Sequence, residues 1–307
     1  MMRRSRSGFA LILTLWALTV VAVVGIAVVL SARESYNVAR NRYAAERAYW
    51  LAEGCLNVVR ASIDDLLAGA PSPDARTRRW RALDTAASAG LTVDPPCRVK
   101  LSAAGDRLDV NSASEDELRR LLTRLAGASR APELVDALLD WRDADRDTRP
   151  FGAEADWYEA QYARVPRDGA FASIDELRRV RGFEQLGGLD TLFSVEPGRL
   201  SIATAPIAVL AAAPGLTDET LARIAEMRAD GRQLDDLIAL TALIPPSAVE
   251  SLMVRYADLV YTTTLDPDAW IVSATVASGT PPLSATSEIR IVRKGTRTAV
   301  ARRRNRS

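Results

Sequence analysis

The chain has 307 residues with a formal net charge of +1, and it contains 40 Lys and Arg residues, 39 Asp and Glu residues and no histidine. This length suits one large domain or two modest ones. The near-zero net charge gives no general attraction to nucleic acid. Without histidine, the chain has no catalytic triad built on that residue and lacks the commonest side-chain metal ligand.

The amino terminus joins a basic segment to an apolar one. Arg3, Arg4 and Arg6 precede a stretch from Phe9 to Leu30 that contains no charged side chain. A helix of that length measures roughly 33 Å, which is enough to cross a bilayer core of about 30 Å. The arginines before it predict a single-pass anchor with a cytoplasmic amino terminus and the bulk of the chain on the opposite side.

Three interpretations of this segment stay open: a cleaved secretory signal, a plain membrane anchor, and a prepilin leader. Gly8 followed by Phe9, at the junction of the basic and apolar parts, resembles the type IV prepilin motif. The resemblance implies that prepilin peptidase cuts after Gly8 and methylates Phe9. The fifth position after that cut is Leu13, where most pilin-like proteins carry glutamate. The minor pseudopilin K family of type II secretion systems also lacks that glutamate.

Helical periodicity continues beyond the apolar stretch, because apolar or small residues recur every three or four positions as far as Leu67. The sequence therefore predicts one helix over residues 9–67, with residues 9–30 in the membrane. Residues 68–96 are rich in Ala, Pro, Ser, Asp and Arg, and they are predicted to form a loop with one short helical turn near Trp80.

Alternating apolar and polar residues indicate strands in two separated parts of the chain. The pattern predicts strands at residues 97–102, 107–110, 258–264, 269–277 and 284–293. The first two flank a turn at Gly105 and are predicted to pair as a hairpin. Residues 68–110 and 257–295 are predicted to form one α/β domain, and the basic residues 296–307 a disordered tail.

Residues 111–256 are predicted to form an inserted α-helical domain that contains a repeated pattern. Residues 108–118 align with residues 200–210, and residues 171–180 echo them more weakly. These repeats resemble helix-hairpin-helix or SAM-like units. Their predicted hairpin turns are at Gly182 and Gly215.

Because helix-hairpin-helix units often bind DNA, a membrane-anchored DNA-binding protein is the alternative function. Phosphate binding requires Lys or Arg beside the hairpin turn. The second turn instead precedes Asp218 and Glu219. Packing or partner binding is therefore favoured, and no nucleic acid is expected.

The densest polar stretch follows the first of these repeats. Its candidate metal ligands are Asp140, Asp143, Asp145, Asp147, Glu154 and Asp156. Carboxylates at alternating positions after a helix can converge on a hard cation, and Ca²⁺ takes six to eight oxygen ligands. A solvated acidic loop paired with nearby arginines is the other interpretation. A third, paired carboxylates for hydrolysis in an anchored enzyme, lacks a recognisable oxyanion donor.

The same stretch also resembles the pseudopilin K family, whose members carry an Asp-Trp-x-Asp-x-Asp run followed by Gly-Ala-Glu. The resemblance implies calcium binding in the helical domain. The positions that match this pattern are Asp140, Asp143, Asp145, Glu154 and Asp156.

Cys55 and Cys97 are the two cysteines of the chain. With the membrane topology above they face an oxidising compartment, which favours a disulfide; two free buried thiols are the alternative.

These features predict an α+β, pilin-like fold with a long amino-terminal helix, a small antiparallel sheet, and a large all-α helix-hairpin-helix or SAM-like insertion. The resemblance implies a non-enzymatic minor pseudopilin at the tip of a type II secretion pseudopilus, supporting its assembly and protein export. The implied partners are the I- and J-type minor pseudopilins, prepilin peptidase and the bacterial inner membrane. The bulk of the chain is expected in the periplasm.

Overall fold

One long helix organises the computed structural model, which describes residues 7–84, 97–162 and 166–306. Helix α1 runs from Ser7 to Ala68. Its amino-terminal part is apolar enough to span a membrane, with a mean hydropathy of 2.7 over the most apolar window. Burial begins at Ala44, and from there small and apolar residues line one face of the helix as far as Leu67.

The carboxyl end of α1 is capped by arginines from the next helix. The last carbonyl groups of a helix have no partner within the helix, and α1 has no basic residue in its last turn. Arg79 donates to the carbonyl of Leu66 at 2.6 Å, and Arg76 donates to that of Leu67 at 3.2 Å. The arginine-rich sequence after Ala68 therefore ends α1 and begins helix α2, where a loop with a single turn was predicted.

The remaining elements are short except for two strands near the carboxyl terminus. The helices are α2 (Pro73–Arg81), α3 (Glu115–Ala126), α4 (Ala131–Arg142), α5 (Ala155–Tyr162), α6 (Leu189–Leu192), α7 (Ile207–Leu210), α8 (Asp218–Ala229), α9 (Pro246–Val254) and α10 (Tyr256–Thr262), with 3₁₀ turns at Ile174–Arg179 and Ile238–Ala242. The strands are β1 (Arg98–Ala103), β2 (Leu108–Asp109), β3 (Phe193–Ser194), β4 (Leu200–Ser201), β5 (Thr263–Thr264), β6 (Trp270–Ser278), β7 (Leu283–Lys294) and β8 (Arg297–Arg306).

Four strands form an antiparallel sheet in the order β1-β6-β7-β8, and α1 packs across one face of it. Alternate residues of β6 are buried against α1, as the two-residue period of a strand requires. Trp80 and Trp270 close one end of this core, edge to face with ring centroids 6.5 Å apart. Each indole N–H donates to a buried carbonyl, that of Pro267 for Trp80 and that of Trp80 for Trp270.

A second hydrophobic core, running from Leu108 to Leu259, lies in the helices between β1 and β6. Two short parallel pairs stand where the chain enters and leaves this region: β2 pairs with β3, and β4 with β5. The backbones approach closely there. Gly105 has a φ of +90°, and a Cβ at this position would overlap the carbonyl of Arg199. Only glycine fits that crossing.

The predicted hairpin of residues 97–102 and 107–110 is wrong. β1 pairs with β6, and β2 pairs in parallel with β3. After Ala103 the chain leaves the sheet because the Asp106 carboxylate accepts the Ala103 N–H at 2.9 Å and fixes a turn. The pairing partners therefore come from far along the chain, and local alternation could not reveal them.

The strand predicted at residues 258–264 is also wrong over most of its length. Residues Tyr256–Thr262 are helical, and only Thr263–Thr264 are extended. Valine and threonine favour strands locally. Burial of Leu259 in the helical core prevails over that preference.

The predicted disordered tail is instead the edge strand β8, which pairs along its length with β7. Three of its arginines are held in the strand because they form ion pairs with acidic side chains. Arg303 pairs with Glu53 of α1, while Arg302 and Arg304 both pair with Glu196. These partners lie far away in the sequence, so composition alone predicted disorder.

Candidate metal centre

The acidic stretch lies between two fixed helix ends. Helix α4 ends at Arg142, whose guanidinium donates to the carbonyls of Val110 and Ala113 at 2.7 and 2.8 Å. These bonds tie the end of α4 to the segment after β2. Helix α5 begins at Ala155. The loop between them therefore presents its carboxylates from anchored ends.

Three of the predicted ligands converge in this loop. Oxygen atoms of Asp143, Asp145 and Glu154 all lie within 4.8 Å of one another, the one such acidic group among the described residues. Glu154 is buried, Asp143 is half-buried, and Asp145 is exposed. The group thus opens to solvent on one side and rests on the protein interior on the other.

Asp140 lies beneath this group and is fully buried. A Cβ at position 152 would overlap the Asp140 carboxylate, so Gly152 is required for the loop to close over it. Arg149 is the nearby cation: its Nε is 3.4 Å from Asp140 Oδ1, and its Nη2 is 3.5 Å from Asp143 Oδ2. One guanidinium therefore faces two carboxylates and leaves Glu154 unpaired.

Several buried carboxylate oxygens here accept no hydrogen bond among the described residues. They are Asp140 Oδ1, Asp143 Oδ1, Glu154 Oε1, Glu154 Oε2 and Asp168 Oδ1. A buried charged oxygen without a partner costs several kcal/mol unless protonation, water or a bound cation offsets that cost.

Burial and mutual repulsion raise the pKa values of the cluster. Burial is the largest cause for Glu154, with repulsion from Asp140, Asp143 and Asp168 next, and together they raise its pKa to about 7. The pKa of Asp140 is raised by burial, and the pKa of Asp143 by burial and then by Asp145. The cluster thus holds more negative charge than its protein surroundings stabilise.

The other two predicted ligands stand apart from the convergent group. Asp147 and Asp156 are both exposed, and Asp156 lies in the first turn of α5. The backbone N–H of Asp147 donates to Asp145 Oδ1 at 2.9 Å, so residue 147 helps to orient its neighbour.

One further acidic residue, Asp168, acts on this cluster although it was not among the predicted ligands. Its charge acts on both Asp143 and Glu154. The chain returns to this place because the N–H of Gly169 donates to the carbonyl of Trp141, at 3.4 Å. Asp168 has a φ of +49°, which is unusual for a residue other than glycine and is better tolerated by Asp than by most.

Aromatic side chains pack against one another next to the loop. Trp141 stacks on Phe171 and meets Tyr158 edge to face, with centroid distances of 6.3 and 5.1 Å. Arg181 lies over the ring of Trp157 and donates to the carbonyl of Gly152 at 2.9 Å. Arg181 therefore also holds the loop that closes over Asp140.

This donor set fits a hard divalent cation. Its ligand atoms are carboxylate oxygens, which calcium prefers over nitrogen and sulfur, and several of them are buried without a partner. Asp143, Asp145 and Glu154 would hold the ion. The ion would supply positive charge to the acidic loop.

Of the other predicted site residues, Gly8, Phe9 and Cys55 lie in α1, and Cys97 lies just before β1. Gly8 and Phe9 are in the first turns of this helix. Cys55 and Cys97 are joined in a disulfide, with Cα atoms 6.6 Å apart, which links α1 to the residue before β1.

The predicted hairpin glycines both adopt positive φ, +85° at Gly182 and +75° at Gly215. Asp218 opens helix α8 just after the second turn and forms an ion pair with Arg124. An acidic first turn already complements the positive end of the helix dipole, so this helix start does not attract phosphate.

Two comparisons with known proteins found similarity to this chain. Residues 97–187 match the family model for type II secretion system protein K. A chain in the crystal structure of the GspK-GspI-GspJ complex from the enterotoxigenic Escherichia coli type 2 secretion system is similar in fold, with a TM-score of 0.63. The match covers 88% of this chain and 99% of that chain at 16% identity. A search of curated proteins found no match. The family resemblance indicated by the sequence is confirmed.

Proposed function

We propose that this chain, whose residues 97–187 carry the domain of type II secretion system protein K, is a minor pseudopilin that supports pseudopilus assembly and protein export. The observation that supports the proposal is how this region is joined to the rest of the chain. It is continuous with a sheet that packs against α1, and the amino-terminal part of α1 is apolar enough to span a membrane. That is the architecture of a single-pass inner-membrane subunit with a large exposed body.

Its position in the assembly is the pseudopilus tip. The fifth residue after Gly8 is Leu13, so the chain lacks the glutamate that other pilin-like subunits place under a neighbour. A carboxylate in lipid is costly unless paired, and a subunit with nothing above it has no use for one. The helical insertion, for which we propose helix-hairpin-helix or SAM-like units, provides the bulk that stops further stacking.

The proposed partners are the I- and J-type minor pseudopilins. The GspK-GspI-GspJ complex contains a chain of this fold, which supports the assignment. A structural role within such a complex requires no catalytic group, and we propose that the chain is not an enzyme.

We also propose that calcium binds Asp143, Asp145 and Glu154, with Asp140 and Asp168 adding negative charge from behind. Neutralising the loop would fix it between α4 and α5 and stiffen the insertion. The unpartnered buried oxygens of the cluster support this role.

Leader processing tests the proposed function. The amino terminus and mass of the full chain are measured from cells with and without prepilin peptidase. We expect a chain that starts at methylated Phe9 only when the peptidase is present. Gly8→Leu should block processing, because the added side chain obstructs the cleavage position. Gly25→Ala, where a Cβ meets nothing within 4 Å, is the matched control and should be processed normally. An intact leader in both strains contradicts the proposal.

A further inference from the structure

A cavity of about 390 Å³ lies between the sheet body and the helical insertion. Arg81 of α2 and Leu265, which follows β5, line it from the body. Residues of α8 and of the segment after it, such as Met227 and Leu234, line it from the insertion. Its volume falls within the range of about 300–1,000 Å³ that is usual for sites of small organic ligands.

Much of the cavity wall is apolar, although one side opens to solvent. The apolar side chains are Ile202, Ile224, Met227, Leu234 and Leu265. The first four of these are buried, whereas Gly231, Arg232 and Gln233 are exposed and form the rim. A ligand with a compact apolar group would therefore remove apolar surface from water on both sides of the contact.

Among the described residues, the charged side chains that border the cavity are mostly cations. They are Arg81, Arg228, Arg232 and Asp84. Arg81 forms an ion pair with Asp266, and Arg232 forms one with Asp230. Arg228 forms none within the part of the chain that the structure describes. A site bordered by three cations and one carboxylate favours an anionic ligand over a cationic one.

Arg228 is a half-buried cation of α8 whose guanidinium bonds to backbone oxygens. It donates from Nη1 to the carbonyl of Ala205 at 2.6 Å, and from Nη2 and Nε to that of Ile202 at 2.6 and 3.2 Å. A guanidinium carries more N–H donors than these three bonds use. Burial lowers the pKa of Arg228, and the negative charge of Asp106 offsets only part of this effect. A carboxylate in the cavity would supply countercharge through charge-assisted hydrogen bonds.

We propose that this cavity is a binding site for a small carboxylate that carries a compact apolar group. The carboxylate accepts from Arg228, with Arg232 adding positive charge at the rim, and the apolar group lies against Met227 and Leu234. An apolar residue at the carboxyl terminus of a polypeptide has this chemistry, and so does a free short-chain acid. The bound ligand contacts the body and the insertion at once. The site goes beyond the proposed function and does not depend on it.

Titration of the purified full chain with two carboxylates tests the site. The probes are N-acetyl-leucine and hexanoate, and N-acetyl-leucinamide is the uncharged control. Saturation-transfer NMR and calorimetry should show saturable binding of a carboxylate with a dissociation constant of about 1 mM or below, and none of the amide. Tighter binding of N-acetyl-leucine assigns the ligand to a polypeptide terminus, and tighter binding of hexanoate assigns it to a free acid. Saturable binding of neither probe, or equal binding of the amide, overturns the proposal.

Two matched pairs of variants locate the binding. Ala203→Trp should abolish it, because Ala203 borders the cavity and the indole would fill it. Ala222→Trp, at an exposed position of α8 outside the cavity, should keep it. Arg228→Lys should raise the dissociation constant about tenfold, because it keeps the charge and loses guanidinium donors. Arg223→Lys, also on α8 but outside the cavity, should leave it unchanged.

The contrary outcome for the variants is specific. Binding that both Ala203→Trp and Arg228→Lys leave intact lies elsewhere on the chain and overturns the site. A circular dichroism spectrum and a melting temperature close to those of the natural chain show that each variant has folded. Failure of this site leaves the proposed function standing, because leader processing is measured separately.

Discussion

Glu53 of the sheet body and Glu154 of the helical insertion are equally buried, but only Glu53 is paired with an arginine. Glu53 is 5% exposed, and its Oε2 accepts from Arg303 of β8 at 2.5 Å. In the insertion, Glu154 is just as buried, yet neither of its oxygens has a partner among the described residues. A buried charge left unpaired is strongly destabilising. Glu53 has an arginine of the body as its countercharge, and we propose that a bound cation supplies the countercharge of Glu154.

The largest expected effect concerns the disulfide of the sheet body. The disulfide between Cys55 and Cys97 spans a sequence separation of 42. In the chain-entropy model, a loop of that size contributes about 4 kcal/mol. Replacing both cysteines with serine should lower the free energy of unfolding by that amount, as measured by urea denaturation. Because the tie lies in the body, the loss should be equal with calcium and with chelator. A loss that calcium abolishes would contradict the separation of the two regions.

The next effect is the pH dependence of the insertion without an ion. The pKa of Glu154 is about 7 in the folded chain, against 4.5 for an ordinary glutamate. The folded state therefore binds this proton more tightly than the unfolded state does. Its contribution is present below pH 4.5 and is lost as the pH rises through 7, by about 3 kcal/mol.

Unfolding measured between pH 5 and pH 8 in chelator should show this loss in the natural chain. Glu154→Gln should flatten the profile, because an amide does not titrate. Glu133→Gln, an exposed residue of α4, is the control and should keep the slope. A profile that Glu154→Gln leaves unchanged would rule out Glu154 as the titrating group.

A smaller effect is expected when a countercharge is removed from the body. Arg303→Ala leaves the buried Glu53 unpaired, and we expect a loss of about 2 kcal/mol, since the arginine itself is partly exposed. Adding Glu53→Gln should restore part of that loss. Arg297→Ala, an exposed arginine on the same strand, should change stability by less than about 0.5 kcal/mol. Equal losses for Arg303→Ala and Arg297→Ala would mean that the buried pair contributes nothing.

The hydrophobic periodicity of the sequence predicted the helices and strands that bury one regular face or that contact residues nearby in the chain. Helix α1 begins and ends within two residues of its predicted bounds, and β6 and β7 lie where alternation placed them. The convergence of Asp143, Asp145 and Glu154 also follows from their nearness in the chain.

Long-range partners account for what the sequence did not reveal. Edge strand β8 depends on Glu53 and Glu196, which meet its arginines from 250 and 108 residues away. Asp168 lies near the acidic cluster beside Gly169, whose N–H donates to the carbonyl of Trp141. Neither relation leaves a periodic trace in the sequence, so composition predicted a disordered tail and overlooked Asp168.

Calcium titration of the purified full chain tests the cation hypothesis most directly. Calorimetry should show saturable binding at pH 7.5, and bound ion at a hundredfold excess over its dissociation constant should stabilise the chain by about 2.7 kcal/mol. Asp143→Asn with Glu154→Gln should abolish both effects. Asp156→Asn, an exposed carboxylate outside the convergent group, should retain them. Absence of binding to the natural chain, or binding that the double substitution leaves intact, would contradict a cation held by this cluster.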